Sequence, residues 1–183
     1  MNKTEKKICY LTHIETDLGT MVAAATDKGI CMFEFTDYKH LDLELKQITA
    51  SFKTLLVQGE NPHFDMLKEQ LDEYFEGKRK SFDIPLDLVG TEFQKQVWIS
   101  LLKIPYGCTI TYAKQAELVG KPTAVRAVAN ANGKNKISII LPCHRVIGTN
   151  GSLTGYGGGI ERKKKLLDFE KKNIALIEND TCK

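Results

Sequence analysis

Three short apolar segments near the N-terminus, residues 7–14, 20–26 and 30–35, restrict the fold of this chain more than any other feature. Asp17-Leu18-Gly19 and Asp27-Lys28-Gly29 separate them, and both tripeptides are turn-forming. The pattern predicts a three-stranded antiparallel meander. A helix over 40–51 and a short strand near 54–57 should follow. Asn61-Pro62 then offers an N-cap with proline at the first helical position, opening a helix whose Phe64, Leu67, Leu71, Tyr74 and Phe75 recur at helical spacing up to Gly77. A strand at 82–86 leads to a boundary near residue 90. This half shows no chemical motif, and its expected role is to support the remainder.

The 183 residues suffice for one large or two small domains with a core of their own. No apolar run approaches the length of a membrane span, and the lysine-rich N-terminus has no apolar stretch behind it, which argues against secretion. Cys9, Cys31, Cys108, Cys143 and Cys182 form no repeating framework and fit a reducing cytoplasm. Cys9, His13, Cys31 and His40 could be arranged as a zinc set, but they lack paired ligand spacing and read as strand residues packing a sheet, so no metal is expected. The net charge is only +3, yet it is unevenly spread. Residues 1 to 90 are close to balanced or slightly acidic. Lys114, Lys121, Arg126, Lys134, Lys136 and Arg145 belong to a basic second half, which suits an anionic partner or a solvated lysine face.

That second half reads as mainly helical. Phe93, Val97, Trp98, Leu101 and Leu102 make the inner stripe of one helix, closed by Pro105-Tyr106-Gly107. Thr111–Val119 is a second helix, stopped by Gly120, and Pro122-Thr123 opens a third over 124–131. Helix, tight turn and helix match the helix-turn-helix pattern, although many helix pairs so joined never touch DNA. The third helix is almost all Ala and Val around Arg126. Such a surface can approach a groove closely and insert one arginine; alternatively, the helix packs a core and Arg126 is a surface residue.

The chemical residues come next. Ile137–Leu141 reads as a buried strand, and Pro142-Cys143-His144-Arg145-Val146 follows at its end. A thiol beside an imidazole can act as a nucleophile, since the thiolate is the reactive form; a structural cysteine beside a surface histidine gives the same dipeptide. Residues 148–159 hold six glycines, which form either a flexible loop or a backbone free to approach a ligand. In the last helix, from Ile160 to about Ile174, Glu170 lies three residues after Leu167 and four after Leu166, so it faces with the apolar stripe formed by Ile160, Leu166, Leu167 and Ile174. Lysines 163–165 and 171–172 should lie mainly elsewhere. An inward carboxylate needs a partner, and His144 is a candidate; a rim position capping a lysine is the alternative. Adjacent side chains in an extended segment diverge, so a water between the imidazole and the thiol is more plausible than direct contact.

Between Thr91 and Glu170 these motifs appear in a fixed order. They are Phe93-Gln94-x-x-Val97-Trp98, Ile104-Pro105-Tyr106-Gly107, Thr111-Tyr112, Arg126-Ala127-Val128, Asn135, Pro142-Cys143-His144-Arg145-Val146, Gly155-Tyr156-x-Gly158-Gly159 and Leu166-Leu167-x-x-Glu170. In this the chain resembles the methylated-DNA–protein-cysteine methyltransferases, or O6-alkylguanine-DNA alkyltransferases. The resemblance implies an α+β protein. A ribonuclease-H-like α/β domain would span residues 1–90, and a mainly helical domain with a helix-turn-helix and a short sheet would span 91–183. It also implies a cytoplasmic monomer that needs no cofactor and acts on duplex DNA containing alkylated guanine. The target would be O6-methylguanine above all, with O4-methylthymine a further lesion, and each molecule would act once.

By the same resemblance, Cys143 would accept the alkyl group, His144 would act as base through water, and Glu170 would polarise His144. Tyr112 would donate toward the leaving guanine and crowd the backbone phosphate. Arg126 would fill the vacated stack, with Thr123, Ala124 and Ala127 meeting the DNA beside it. Asn135 would brace the turn between the third helix and the active-site strand. The backbone at Cys143 and Val146 would receive the guanine amino group. Tyr156, Gly157 and Gly158 would close the alkyl pocket, and Ser138 would line it. Departures from the family pattern are Lys136 after Asn135 in place of proline, Ser138 in place of proline in some members, Gly157 in place of serine in some, and Cys108 in place of glutamate. Ser138 and Gly157 bear on the size of alkyl group tolerated. Two other classes are a non-enzymatic lesion-binding protein of similar fold, opposed by Cys143, and a Cys-His hydrolase, opposed by the Arg-bearing helix-turn-helix.

Overall fold

The computed structural model describes residues 8–175; residue 7, the outer limits of both expected domains and Cys182 lie outside the described residues. β1 (Ile8–Ile14) pairs antiparallel with β2 (Met21–Ala25), and β2 pairs antiparallel with β3 (Ile30–Phe35). The meander therefore forms as its turns dictate. β4 (Leu55–Gln58) joins the far side of β1 in parallel, giving the order β3-β2-β1-β4. Every residue of β2 and β3 is buried. Both strands are covered on both faces, so they run apolar instead of alternating.

On one face Val22, Ala24, Cys31 and Met32 pack with Ile48 of α1 (Leu41–Phe52). On the other, Ala23, Phe33 and Phe35 join the larger core, which includes Leu67 and Tyr74 of α2 (Pro62–Phe75) and Trp98 and Leu141 from the second half. The Asn61 side chain starts α2 as an N-cap, accepting from His63 N at 3.0 Å.

The strand expected at 82–86 does not form. Only Leu86 bridges to Ile30, because Pro85 has no N–H to donate and Gln70 bonds both the N–H and the carbonyl of Asp83.

In the second half, a capping box between Thr91 and Gln94 opens α3 (Glu92–Leu101). α4 (Tyr112–Leu118) and α5 (Val125–Asn132) form the helix-turn-helix. A buried polar cluster sets their angle: Gln115 donates to Val97 O and Ser100 Oγ, and the Asn132 amide donates to Gln115 Oε1 at 2.5 Å. Trp98 Nε1 donates to Ala131 O at 2.8 Å, fixing α5 against α3. Two short strands, β5 (Ile110–Thr111) and β6 (Val146–Ile147), pair in parallel. The chain ends in α6 (Ile160–Ala175). No helix among the described residues is long and apolar enough to cross a membrane.

Residues 137–141 are not a strand, contrary to expectation. Ile137 makes a single bridge to Phe33, after which the backbone turns on itself, with Ile140 N bonded to Ser138 O and Leu141 N to Ile137 O. Ile139 takes a φ of 71°, a conformation no strand residue adopts. A short, wholly apolar run has no periodicity to separate a strand from a buried turn.

Candidate active site

Cys143 opens a 3-10 turn (Cys143–Arg145) directly after Pro142, not the end of a strand. Its free thiol is 4% exposed and accepts a hydrogen bond from Asn135 Nδ2 at 3.3 Å. The same amide donates to Leu141 O at 2.9 Å, and Asn135 Oδ1 accepts from Ile137 N. Asn135 thus braces the segment that ends in Cys143 from both ends. Burial pushes the Cys143 thiol up to about 11; the Asn135 bond opposes this, Glu34 adds to it and Lys163 opposes it.

His144 is fully buried, and its Nε2 lies 2.9 Å from Glu170 Oε1. Burial holds the imidazole below its ordinary value, so the ring is neutral at pH 7. Nε2 then carries the proton and Nδ1 is left basic. Nδ1 is buried and has no hydrogen-bond partner among the described residues.

Glu170 also accepts from Tyr74 Oη at 2.7 Å, from Gly107 N at 2.9 Å and from Arg145 through Nε and Nη2. Burial alone would raise its pKa, but His144 and Arg145 hold the carboxyl well below the ordinary range. The inward orientation expected for Glu170 is therefore met, and the rim position is not. Arg145 and Tyr74 were missed: the sequence offers an arginine after Cys143-His144 and an apolar-stripe tyrosine, and neither pattern specifies a carboxylate partner.

Lys163 corrects the expectation that the lysines of α6 point away. It is fully buried, and Nζ donates to Val146 O at 2.6 Å and Thr154 O at 2.8 Å. Ile160, expected in the apolar stripe, is 42% exposed. Tyr112, the first residue of α4, donates to Thr154 O at 2.9 Å. The glycine-rich loop is therefore tied to both α6 and the helix-turn-helix. Tyr156 is buried with its ring edge-on to His144 at 6.4 Å, and its hydroxyl has no partner among the described residues. At Gly158 a Cβ would lie 2.6 Å from the Phe35 ring, so only glycine fits.

α5 divides cleanly. Val128 and Ala131 are in the core, while Thr123, Arg126 and Ala127 are exposed and Ala124 is half-buried. One face thus packs the core, and Arg126 lies exposed on the other. The strand pair β5–β6 links this surface to the turn that carries Cys143: Thr111, which caps α4 by accepting from Lys114 N, pairs with Ile147. Cys108 is disulfide-bonded, which departs from the reading of five reduced cysteines; Cys9 and Cys31 are free and buried.

The N-terminal half also reaches the site, contrary to its expected purely supporting role. Tyr74 bonds Glu170, and the buried carboxyl of Glu34 accepts from Ser138 Oγ at 2.7 Å.

Two family models match the chain. The 6-O-methylguanine DNA methyltransferase ribonuclease-like domain matches residues 9–88, and the DNA binding domain of the same proteins matches residues 92–172. A methylated-DNA–protein-cysteine methyltransferase of Methanosarcina barkeri is 42% identical over 165 residues, covering 90% of this chain and 99% of the relative. The Mycobacterium bovis protein of that name is 58% identical over 103 residues, covering 56% of this chain and 62% of the relative, so that match spans less than two thirds of its length. The crystal structure of Mycobacterium tuberculosis OGT in complex with DNA is similar at a TM-score of 0.74 and 40% identity, covering 90% of this chain and 94% of that one. With both of its halves matched and its fold shared, the chain belongs to the methylated-DNA–protein-cysteine methyltransferase family.

Proposed function

We propose that this chain repairs duplex DNA by transferring the alkyl group of an O6-alkylguanine to its own Cys143, once per molecule. The observation that carries the reading is the free, buried Cys143 thiol beside a His144 ring whose Nε2 is taken by Glu170 and whose Nδ1 is open. The exposed face of α5, with Arg126 among small residues, would lie against the DNA. Arg126 would take the place of the extruded base. Extrusion is needed because a sulfur cannot approach the alkyl carbon in line with the C–O6 bond while the base remains stacked.

In the transfer, an S–C bond forms as the C–O6 bond breaks, and the electron pair stays with the guanine. The thiol proton passes through water to His144 Nδ1, and Tyr112 donates toward the departing guanine. Asn135 holds the thiol in place. The backbone at Cys143 and Val146 receives the guanine amino group, and Tyr156, Gly157 and Gly158 close over the alkyl group with Ser138 beneath. The thiol's high pKa explains the need for a base beside it. The thioether product has no ready leaving group, which limits each molecule to one transfer. O6-methylguanine is the expected substrate, with O4-methylthymine a further one. The protein would act as a monomer in the cytoplasm, with residues 1–90 and 91–183 as its domains.

Incubation with a duplex oligonucleotide containing O6-methylguanine should add one methyl group to the peptide carrying Cys143. Cys143→Ser should abolish transfer and leave DNA binding intact. Methyl on a different cysteine, or repeated turnover, would overturn the reading.

A further inference from the structure

We propose that Glu34, on the N-terminal sheet, is a specificity-determining residue of the acceptor site: its carboxyl group, held by Ser138, walls the space that receives the alkyl group and limits its size. The inference rests on Cys143 being the acceptor.

Glu34 is 1% exposed near the end of β3. Its Oε1 accepts from Phe35 N at 2.9 Å, and its Oε2 accepts from Ser138 Oγ at 2.7 Å. Ser138 is itself 1% exposed, and its backbone N–H bonds Phe33 O at 2.8 Å, so the acceptor segment hangs from the strand that carries Glu34. From the other side the glycine-rich loop comes equally near. A Cβ at Gly157 would stand 3.3 Å from Glu34 Oε2 and 3.5 Å from Tyr38. Glu34 therefore stands where a side chain at residue 157 would project, between the glycine-rich loop and Ser138 of the segment that leads to Cys143.

Burying a carboxyl among apolar groups is costly, and an apolar residue of the same volume would pack at less cost. What the carboxyl adds is a polar surface that cannot be covered cheaply. A methyl group entering beside Cys143 leaves the Glu34–Ser138 contact intact. A benzyl group needs volume there and presents an apolar face to the carboxyl. The wall thus opposes large substituents both by size and by desolvation. Its charge is felt at the thiol as well, since ionised Glu34 raises the Cys143 pKa.

Single-turnover transfer from duplexes carrying O6-methylguanine or O6-benzylguanine tests this. Glu34→Ala should raise the benzyl-to-methyl rate ratio by about tenfold. The ratio does not depend on the fraction of protein that is folded. Glu34→Gln keeps the shape and removes the charge. Burial pushes the Glu34 carboxyl up to about 7, so this variant should match the natural chain at about pH 6 and exceed its methyl-transfer rate at about pH 8. The other groups facing Glu34 are unchanged in both variants: Ser138, Tyr38, Tyr156, Cys143, Glu44 of α1 and Arg162 of α6, the last bound to Asp37.

An unmoved ratio in Glu34→Ala, with methyl transfer retained, overturns the proposal. If Glu34→Ala does not fold, Glu34→Asp, shorter by one methylene, decides by the same ratio, and an unmoved ratio there overturns the proposal. Absence of methyl transfer by the natural chain overturns the acceptor reading instead.

Discussion

His144 Nε2 and Glu170 Oε1 lie 2.9 Å apart with neither side chain reaching solvent. The contact fixes the imidazole tautomer, and Glu170 is fixed in turn by Arg145, Tyr74 and Gly107. One carboxylate thereby joins α6, α2, the turn at Cys143–Arg145 and the loop before the helix-turn-helix.

Replacing that carboxylate leaves the Arg145 guanidinium buried without its anion. Glu170→Gln should lower stability by about 3–5 kcal/mol, as breaking a buried pair from one side does. Urea unfolding checks this. In the fraction that remains folded, single-turnover transfer should also slow, because a glutamine amide no longer favours the Nε2-protonated ring.

Arg126 is exposed and holds no part of the core, so Arg126→Ala should leave the unfolding midpoint within about 0.5 kcal/mol of the natural chain. Transfer from an alkylated duplex should fall by about tenfold, the loss of one good DNA contact. Transfer from free O6-benzylguanine, which needs no extrusion, should be unchanged. Equal losses on both substrates would place Arg126 outside the flipping step.

Stability should respond to pH through two buried carboxyls. Burial pushes Glu34 up to about 7 and Glu44 up to about 7, the latter against the opposing pull of Lys136. A folded-state pKa above the unfolded one means that the folded chain binds more protons in between. The stability these groups contribute is therefore full below about pH 4.5 and lost as pH rises through 7. Guanidinium unfolding should show a decline of about 3 kcal/mol over that window from Glu34, absent in Glu34→Gln.

Strongly patterned elements were legible. The meander, α2 with its Asn61 cap and the helix-turn-helix follow from periodicity and turn residues, which act locally. Glu170 was legible because helical spacing alone turns it inward. Glu34 and Lys163 were not, because charged residues in a strand or a basic helix are ordinarily solvated, and only tertiary contacts with Ser138, Val146 and Thr154 show otherwise. The turn at 137–141 was not legible either, because a short apolar run has no periodicity and its fold is set from outside it. Its shape is dictated by the Asn135 side chain, which bonds Ile137, Leu141 and Cys143, two, six and eight residues further on.

Trp98 is the one tryptophan of the chain, and its indole N–H is bonded to Ala131 on the helix that carries Arg126. The molecule therefore contains an optical gauge of its own. Any displacement of α5 changes the hydrogen bonding of a buried indole, whose emission can be read without adding a dye.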